Sequence, residues 1–314
     1  MKASVHTLAA ASARSGLTRQ QATLERAIVQ TVAYADVFDY PLTVDEVQRY
    51  LIGVPASRGT VRGALGNGRL VPTVLARSGR FITLLGRQKA IETRRGRAAV
   101  SAELWHRAVG YGRLIGNLPF ARMVAVTGAL AMDNVADGDI DYLIVTEPGR
   151  LWLCRALVVA VVKLAARRGV TLCPNYFLSE RALVLEERNL FTAHEVAQMV
   201  PLTGSDTYAR LRELNRWTTA FLPNAAGSPR KLSVVAPRLR RTRHVVEAAL
   251  RTRTGGWLER WEMGRKIAKL ASRSSDHAEA SFDVDWCKGH FGDHGQLTLA
   301  RFADRMQGLE AQLT

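Results

Sequence analysis

Two aspartates separated by a single apolar residue, Asp139 and Asp141, constrain this chain more than any other feature. They follow an apolar segment that ends near Val126 and a turn of small residues, and they open a second apolar segment. Residues i and i+2 of a β-strand project from the same face, so the two carboxylates lie side by side. Two such charges repel each other unless a cation neutralises them. The pattern therefore predicts a site for a hard divalent cation, Mg²⁺ or Mn²⁺, with Asp139 and Asp141 as its ligands.

The turn before the aspartates contains Thr127, Gly128 and Ala129, which are residues suited to contact a phosphate. Their small side chains let backbone N–H groups approach a phosphate closely. Mg²⁺ commonly bridges carboxylates to phosphates. Neither Gly-Lys-Ser nor Gly-Lys-Thr occurs in the chain, so a P-loop is not predicted. The turn and the aspartates together predict a metal-dependent site for a nucleoside triphosphate.

This arrangement resembles the signature of the polymerase-beta-like nucleotidyltransferase superfamily, in which a Gly-Gly or Gly-Ser pair precedes an acidic–apolar–acidic triplet. Here the pair is Gly128-Ala129, the triplet is 139–141, and the resemblance covers roughly residues 120–180. Within the superfamily, the chain is most similar to a group of bacterial proteins with an N-terminal winged helix. The stretches that carry this second similarity are Phe38-Asp39-Tyr40-Pro41-Leu42-Thr43, Pro148-Gly149-Arg150-Leu151-Trp152 with Arg155, Cys173-Pro174-Asn175-Tyr176-Phe177 and Asn189-Leu190-Phe191-Thr192-Ala193.

The resemblance implies an α/β (α+β) fold, with a nucleotidyltransferase-type mixed sheet and flanking helices, an N-terminal winged helix-turn-helix and a helical C-terminal region. It implies transfer of a nucleoside monophosphate from a nucleoside triphosphate to a hydroxyl acceptor, which is RNA, a protein or a small molecule. Asp139 and Asp141 would be the catalytic pair. Arg150 and Arg155 would bind the triphosphate, since a planar guanidinium suits bidentate phosphate recognition. A surface ion pair is the other interpretation of these arginines.

Two positions depart from the superfamily pattern. Ala129 stands where serine is usual, so a hydroxyl that would bond a phosphate oxygen is missing. Active members also carry a third carboxylate on a later strand, but the corresponding segment, 171–179, contains no acid. Either Asn175 occupies that place or Glu180 substitutes from just beyond it. These departures leave two alternatives: a catalytically degenerate nucleotide-binding regulator that acts through DNA binding by the winged helix, and a non-catalytic scaffold.

The N-terminal part of the chain has the pattern of a winged helix. Apolar residues recur at helical spacing over 21–35, and Thr43 opens a capping-box sequence at the start of a second helix. A third helix is predicted after Ser57, and two strands are predicted over 69–76 and 81–85. In this module the third helix usually enters the DNA major groove.

Arg58 and Arg62 are the exposed basic residues predicted on that third helix, and they are the candidates for contact with nucleic acid. The other interpretation is a docking unit, because arginines are common on any solvated helix face. Over the whole chain, 44 basic against 28 acidic residues give a net charge of +16. This surplus favours a polyanionic partner, RNA or DNA. A basic proteome rich in arginine and an acidic membrane surface are the alternatives.

The cysteines and the most apolar segment of the chain indicate the cellular compartment of the protein. Cys154, Cys173 and Cys287 are widely spaced, which is typical of a protein in the reducing cytoplasm rather than of a disulfide framework. The segment 151–166 is too short to span a bilayer and contains Arg155, so it is interpreted as a buried helix. We therefore expect a cytoplasmic protein without a membrane partner.

The predicted organisation has five parts: a disordered tail (1–20), a winged-helix domain (21–86), a linking helix (87–117), a nucleotidyltransferase core (118–200) and a helical C-terminal region (201–314). The strands predicted in the core are 121–127, 142–146, 171–178 and 182–185. In the C-terminal region, a helix is predicted over 257–272 with its buried side formed by Trp257, Trp261, Ile267 and Leu270.

Overall fold

The computed structural model describes residues 20–232, 240–271, 282–288 and 292–313. These residues form two compact units. The first unit contains 20–94, 219–226 and 298–313, and the second contains the described residues of 95–218 and 227–297. The tail that was expected to be disordered, 1–20, lies outside the described residues except for Gln20, which begins a helix.

Three helices and a small antiparallel sheet form most of the first unit. They are α1 (20–36), α2 (Val44–Arg49), α3 (Arg58–Gly66), β1 (Leu42–Thr43), β2 (Leu75–Ser78) and β3 (Phe81–Leu84), with β3 between β1 and β2. The Thr43 hydroxyl accepts the N–H of Glu46, whose carboxylate accepts the N–H of Thr43, so the predicted capping box is confirmed. Ser57 caps α3 through the N–H of Thr60.

The first strand of the hairpin starts later than predicted. Residues 67–74 form bends and turns, and β2 begins only at Leu75. Pro72 explains the difference, because proline has no N–H to donate to a strand ladder. The apolar residues Leu70 and Val74, which suggested a strand, are buried from within these turns instead.

The second unit is built on a five-stranded mixed sheet. Its strands are β4 (Ala121–Val126), β5 (Ile140–Thr146), β6 (Leu172–Ser179), β7 (Val200–Thr203) and β8 (Trp286–Lys288), in the order β7-β4-β5-β6-β8. Strands β5 and β6 run parallel, and the other neighbours are antiparallel. The described residues therefore form a mixed α/β structure.

Nine further helices complete the described structure. They are α4 (Ala90–Gly116), α5 (Gly128–Ala131), α6 (Leu151–Ala166), α7 (Leu190–Gln198), α8 (Ser205–Leu214), α9 (Thr218–Phe221), α10 (Arg240–Leu250), α11 (Arg253–Ala271) and α12 (Gly292–Leu313). The long α4 matches the predicted linking helix 87–117. Part of α12 belongs to the first unit, where Arg305 Nε donates to Asp36 Oδ2 of α1 at 2.8 Å.

Two expectations for the later part of the chain were wrong. The region 201–314 is not all helical, because β7 extends into it and β8 lies within it. Both strands are short, four and three residues, so they show almost no alternating pattern. Conversely, 182–185 is a loop, although Leu183 and Leu185 are buried. The Asn215 side chain satisfies the Leu185 N–H at 2.9 Å, which a neighbouring strand would otherwise do.

The central sheet is buried on both faces. On one face, Ile140, Tyr142 and Ile144 of β5 pack in a cluster with α6. On the other face, Leu143 and Val145 pack in a second cluster that includes residues of α7 and α8. Because side chains alternate along a strand, Asp141 shares its face with Leu143.

Helix α6 is buried as the sequence predicted. Trp152, Cys154 and Val158 are completely buried against the sheet. Among the described helices, none combines the length and the apolar composition needed to cross a membrane. The apolar character of α6 is therefore explained by its place behind the sheet.

The predicted buried side of α11 is only partly confirmed, because Ile267 packs against the core but the two tryptophans do not. Trp257 and Trp261 are 57% and 52% exposed, whereas Glu259 is buried. The Glu259 carboxylate accepts the N–H groups of Trp152 and Leu153 at 2.8 Å each, at the start of α6. These N–H groups lack partners within their own helix, so capping them outweighed burial of the indoles. The side chain of Leu270 lies outside the described residues.

A buried carboxylate ties α10 to the central sheet. Glu247 Oε1 accepts the N–H of Phe120 at 2.8 Å, Nε of Arg243 at 2.9 Å and Nη1 of Arg122 at 3.2 Å. Burial alone would raise the pKa of Glu247, but these donors outweigh it and lower the pKa to about 2. Because the folded-state pKa lies below the ordinary value, Glu247 stabilises the fold at neutral pH, and this stabilisation is lost as the pH falls towards 2.

We expect Glu247→Gln to lower the free energy of unfolding at neutral pH by about 3 kcal/mol, because it leaves the nearly buried guanidinium of Arg243 without its counter-charge. The difference from wild type should shrink once the pH falls below about 4. Urea denaturation at several pH values measures both effects. As a control, Glu213→Gln breaks the exposed pair with Arg216 and should cost less than about 1 kcal/mol. A difference that stays constant with pH would contradict the role assigned to Glu247.

Candidate functional site

The two aspartates lie at the N-terminal end of β5, on the sheet face that α7 covers. Asp139 immediately precedes the strand, and Asp141 is its second residue. The backbone oxygen of Asp141 accepts the N–H of Thr127 at 3.1 Å, which closes the turn between β4 and α5. The structure thus brings the predicted pair and the predicted small-residue turn together.

Gly128 is packed directly against the carboxylate of Asp141. Its φ angle is +63°, and a Cβ atom built on it would lie only 2.5 Å from Asp141 Oδ2. Any larger residue would therefore meet both backbone strain and a steric clash. Glycine at this position is explained by the approach of Asp141, which the sequence motif alone did not reveal.

Asn175, one of the two residues considered for the place of the third acid, lies beside the pair. The pairing of β5 with β6 is irregular between Asp141 and Leu143, so that β6 carries one extra residue there. Asn175 Nδ2 donates to Asp141 Oδ1 at 2.5 Å. Cys173 Sγ lies 3.6 Å from Asp139 Oδ2. An amide and a thiol thus contact the two carboxylates from the neighbouring strand.

Glu180, the other candidate for the third acid, lies at the opposite end of the strand pair. Its N–H donates to the backbone oxygen of Thr146 at 3.0 Å, at the C-terminal end of β5. Its carboxylate is 3.9 Å from Nε of Arg122. Thr146 is five residues along the strand from Asp141, or about 16 Å. Glu180 is therefore too far away to substitute.

The charge of the pair is not balanced by any cation among the described residues. Neither Asp139 nor Asp141 forms an ion pair with a described lysine or arginine, although the chain carries a net charge of +16. Burial and then the charge of Asp139 raise the pKa of Asp141 to about 6, and the Asn175 hydrogen bond only partly opposes this. Two uncompensated carboxylates beside each other are typical of a cation site.

A further carboxylate reaches this region from α7. Burial, with a contribution from the charge of Asp141, raises the pKa of Glu195 to about 7. Glu195 and Thr127 line a pocket of about 210 Å³ on the same sheet face. No sequence pattern pointed to Glu195, because the superfamily signature places the third acid on a strand and Glu195 lies on a helix.

The donor set suits a metal that is shared with a phosphate ligand. Over the described ranges, no group of three or more His, Cys, Asp or Glu side chains is arranged to hold a metal ion by itself. Mg²⁺ is usually bound by one or two carboxylates together with substrate phosphates and water, rather than by a cage of protein ligands alone. Asp139 and Asp141 meet that requirement.

The residues predicted to bind phosphate are only partly brought together. Gly128 and Ala129 open α5, where N–H groups have no acceptor within the helix. The N–H of Thr127 is used by Asp141, so this donor is not available to a ligand.

Arg150 and Arg155 are not part of this site, so their predicted role with the aspartates was wrong. Both belong to the start of α6, on the opposite face of the sheet. Arg155 lies 5.9 Å from the ring centroid of Phe177, and Arg150 lies 5.7 Å from that of Phe120. A helix that follows β5 begins at the C-terminal end of that strand, whereas the aspartates are at its N-terminal end.

Arg58 and Arg62, the predicted nucleic-acid contacts, are exposed on α3 of the first unit. Arg58 forms an ion pair with Asp45 of α2. Both side chains thus lie on the solvent-facing side of the helix, as the apolar spacing predicted, and their contact with nucleic acid stays a prediction.

We expect Gly128→Ala to displace Asp141 and abolish any function that depends on the pair, with a loss of about 1–3 kcal/mol of stability from backbone strain. Gly169→Ala is a matched control, because Gly169 has a similar φ of +68° but a Cβ atom added to it would meet no atom within 4 Å. Thermal denaturation should show a loss from backbone strain in both variants, with the larger loss in Gly128→Ala because of its added clash with Asp141. Mg²⁺-dependent nucleotide binding should be lost only in Gly128→Ala. Equal binding by both would show that the close approach is unimportant.

We expect Asp141→Asn to stabilise the metal-free protein at pH 7 by about 1 kcal/mol, because it removes a carboxylate that is ionised at a cost. The raised pKa means that native Asp141 binds a proton up to about pH 6, so stability falls as the pH rises from about 4 through 6. The gain of the variant should therefore vanish near pH 4. Melting temperatures over this pH range test it, and a gain that is largest at acidic pH would be inconsistent with a raised pKa at Asp141.

No protein-family model, no curated protein and no solved structure matches this chain. The function is therefore inferred from the geometry and charge of the site itself.

Proposed function

We propose that this protein is a metal-dependent nucleotidyltransferase, which moves a nucleoside monophosphate from a nucleoside triphosphate to a hydroxyl acceptor. The observation that carries the proposal is the uncompensated pair Asp139 and Asp141, packed against Gly128 at the start of β5. The pair supplies two carboxylates on one face, and the turn beside it supplies backbone donors without side-chain obstruction.

Each residue of the site would have a distinct task. Asp139 and Asp141 would hold Mg²⁺ or Mn²⁺, and the N–H groups of Gly128 and Ala129 would donate to phosphate oxygens. The bound metal supplies neutralisation of the charge on the transferring and leaving phosphate groups. Asn175 orients Asp141 through its amide.

We assign to Glu195 the acceptance of the proton of the acceptor hydroxyl, because it shares a pocket with Thr127 and interacts electrostatically with Asp141. Its pKa of about 7 matches the working range of a general base. As the acceptor oxygen forms its bond to the α-phosphorus, its proton would pass to Glu195 and the bond to the leaving pyrophosphate would break. A carboxylate from α7 would thus perform the task for which β6 lacks an acid.

The pocket beside Glu195 favours a small acceptor over RNA. Glu186 and Glu187 also line it, whereas Lys288 is its only basic lining residue among those described. Lys288 is paired with Glu187. Leu143 and Met199 form part of the wall, so a neutral or cationic acceptor with an apolar portion suits the pocket better than a polyanion.

The first unit supports a nucleic-acid-binding winged helix as an accessory to this function. Three helices precede a hairpin whose second strand also pairs with the short β1, and α3 presents Arg58 and Arg62 to solvent. We propose that α3 is its recognition element.

We place the protein in a reducing compartment such as the cytoplasm, since Cys154, Cys173 and Cys287 are all free thiols.

A second candidate function is a catalytically degenerate nucleotide-binding regulator that acts through DNA binding by the first unit. Asn175 favours it, because an amide stands at the position beside Asp141 where a third carboxylate would help to activate the acceptor. Nucleotide binding requires only Asp139, Asp141 and the turn, so it would survive the loss of that acid.

Label transfer tests the proposal. Purified protein is incubated with each α-³²P nucleoside triphosphate, Mg²⁺ or Mn²⁺, and cellular RNA, protein or small-molecule extract. We expect transfer by the wild type, none by Asp139→Ala/Asp141→Ala, and a loss of about 100-fold in Glu195→Gln with nucleotide binding retained. Asp137→Asn, which alters an exposed acid in the loop before the pair, is the matched control and should behave like the wild type.

The outcomes separate the two candidates. Mg²⁺-dependent nucleotide binding without any labelled product, together with nucleotide-dependent retention of DNA, would favour the regulator. Nucleotide binding and transfer that persist in Asp139→Ala/Asp141→Ala would contradict both candidate functions, because each requires these two aspartates.

A further inference from the structure

Helix α11 carries a stripe of basic and aromatic residues. Arg253, Trp257, Trp261 and Arg265 are spaced four residues apart, which places them one above another on a single helix face. All four are exposed to solvent. We call this set the Arg–Trp stripe.

The two indoles of the stripe form an exposed stack. Trp257 and Trp261 are 57% and 52% exposed, their ring centroids are 6.4 Å apart and their planes differ by 17°. The guanidinium of Arg265 lies 5.2 Å from the Trp261 ring centroid. Large aromatic residues exposed as a contiguous patch commonly mark a surface that contacts a partner.

On α11, the carboxylates are buried and the arginines are exposed, so the solvent-facing side of the helix is basic. Its carboxylates Glu259 and Glu262 are buried, at 5% and 4% exposure. Glu259 caps α6, and Glu262 pairs with Arg265 at 2.5 Å. Arg253 makes no ion pair with a described carboxylate, and neither does Arg260, which precedes Trp261 in the sequence. Their charges are therefore available to a polyanion.

We propose that the Arg–Trp stripe binds single-stranded nucleic acid. Unpaired bases would stack on the indole faces, and Arg253 and Arg260 would neutralise the phosphates between them. An acidic membrane surface suits the stripe less well, because membrane-binding helices present a broad apolar face and here two indoles are flanked by arginines. The stripe belongs to the second unit, whereas Arg58 and Arg62 belong to the first. None of its residues is part of the Asp139–Asp141 site, so the proposal does not depend on the nucleotidyltransferase function.

Fluorescence anisotropy with fluorescein-labelled oligo(dT) and oligo(U) tests the proposal on the full chain. We expect Trp257→Ala/Trp261→Ala to weaken binding by about 10-fold or more, and Trp257→Phe/Trp261→Phe to retain most of it because phenylalanine still stacks. Arg253→Gln/Arg260→Gln should lower the slope of log affinity against log salt by about 1.4. Val245→Ala, which truncates an aliphatic side chain that is 69% exposed on α10, is the control and should bind like the wild type.

Three outcomes would overturn the proposal, once circular dichroism has shown that each variant is folded. Affinity that is unchanged in the tryptophan variant but lost in Arg58→Ala/Arg62→Ala would overturn the proposal and assign binding to the first unit. Absence of saturable oligonucleotide binding would also overturn it. The same holds for a tryptophan fluorescence shift with phosphatidylserine vesicles but not with oligonucleotides, which would identify a membrane surface.

Discussion

The contact between the Asp141 carboxylate and the α-carbon of Gly128 is the constraint on which the candidate site depends. It joins the turn after β4 to the start of β5, and only a residue without a side chain permits it. Because one Asp141 oxygen lies beside Gly128 and the other accepts the neutral amide of Asn175, their charge is left for a ligand to neutralise. In a chain with a surplus of 16 positive charges, this local deficit is a specific property of the site and not a consequence of composition.

The carboxylates around this point have different electrostatic environments. Asp141 is held by Asn175 and raised in pKa by burial and by Asp139, whereas Glu195 approaches from a helix with a pKa near neutrality. Asp141 is fixed by an amide whereas Glu195 lines the pocket, so the two carboxylates can take separate tasks, such as binding a cation and accepting a proton. The fold places the two groups on different elements, since Asp141 lies on β5 and Glu195 lies on α7.

Local patterns were the part of this structure that the sequence predicted well. The capping box at Thr43, the apolar strands β4, β5 and β6 and the buried α6 follow from spacing within a few residues. What escaped prediction depends on partners distant along the chain. Strand β8 is only three residues long and is recognisable only by its pairing with β6. Trp257 faces solvent because Glu259 of the same helix is buried, where it accepts N–H groups at the start of α6. The predicted role of Arg150 and Arg155 was wrong for a related reason. The sequence motif did not indicate which face of the sheet α6 covers.

The order in which the chain is assembled limits when it can fold. Strand β8 completes the edge of the central sheet beyond β6, and its Trp286 and Lys288 supply part of the pocket wall. The first unit likewise includes residues 298–313, with Arg305 bonded to Asp36. Each unit therefore spans an early and a late part of the translation product. During synthesis, the second unit cannot complete its sheet until β8 has left the ribosome, and the first unit cannot form its contacts with 298–313 until that segment has followed.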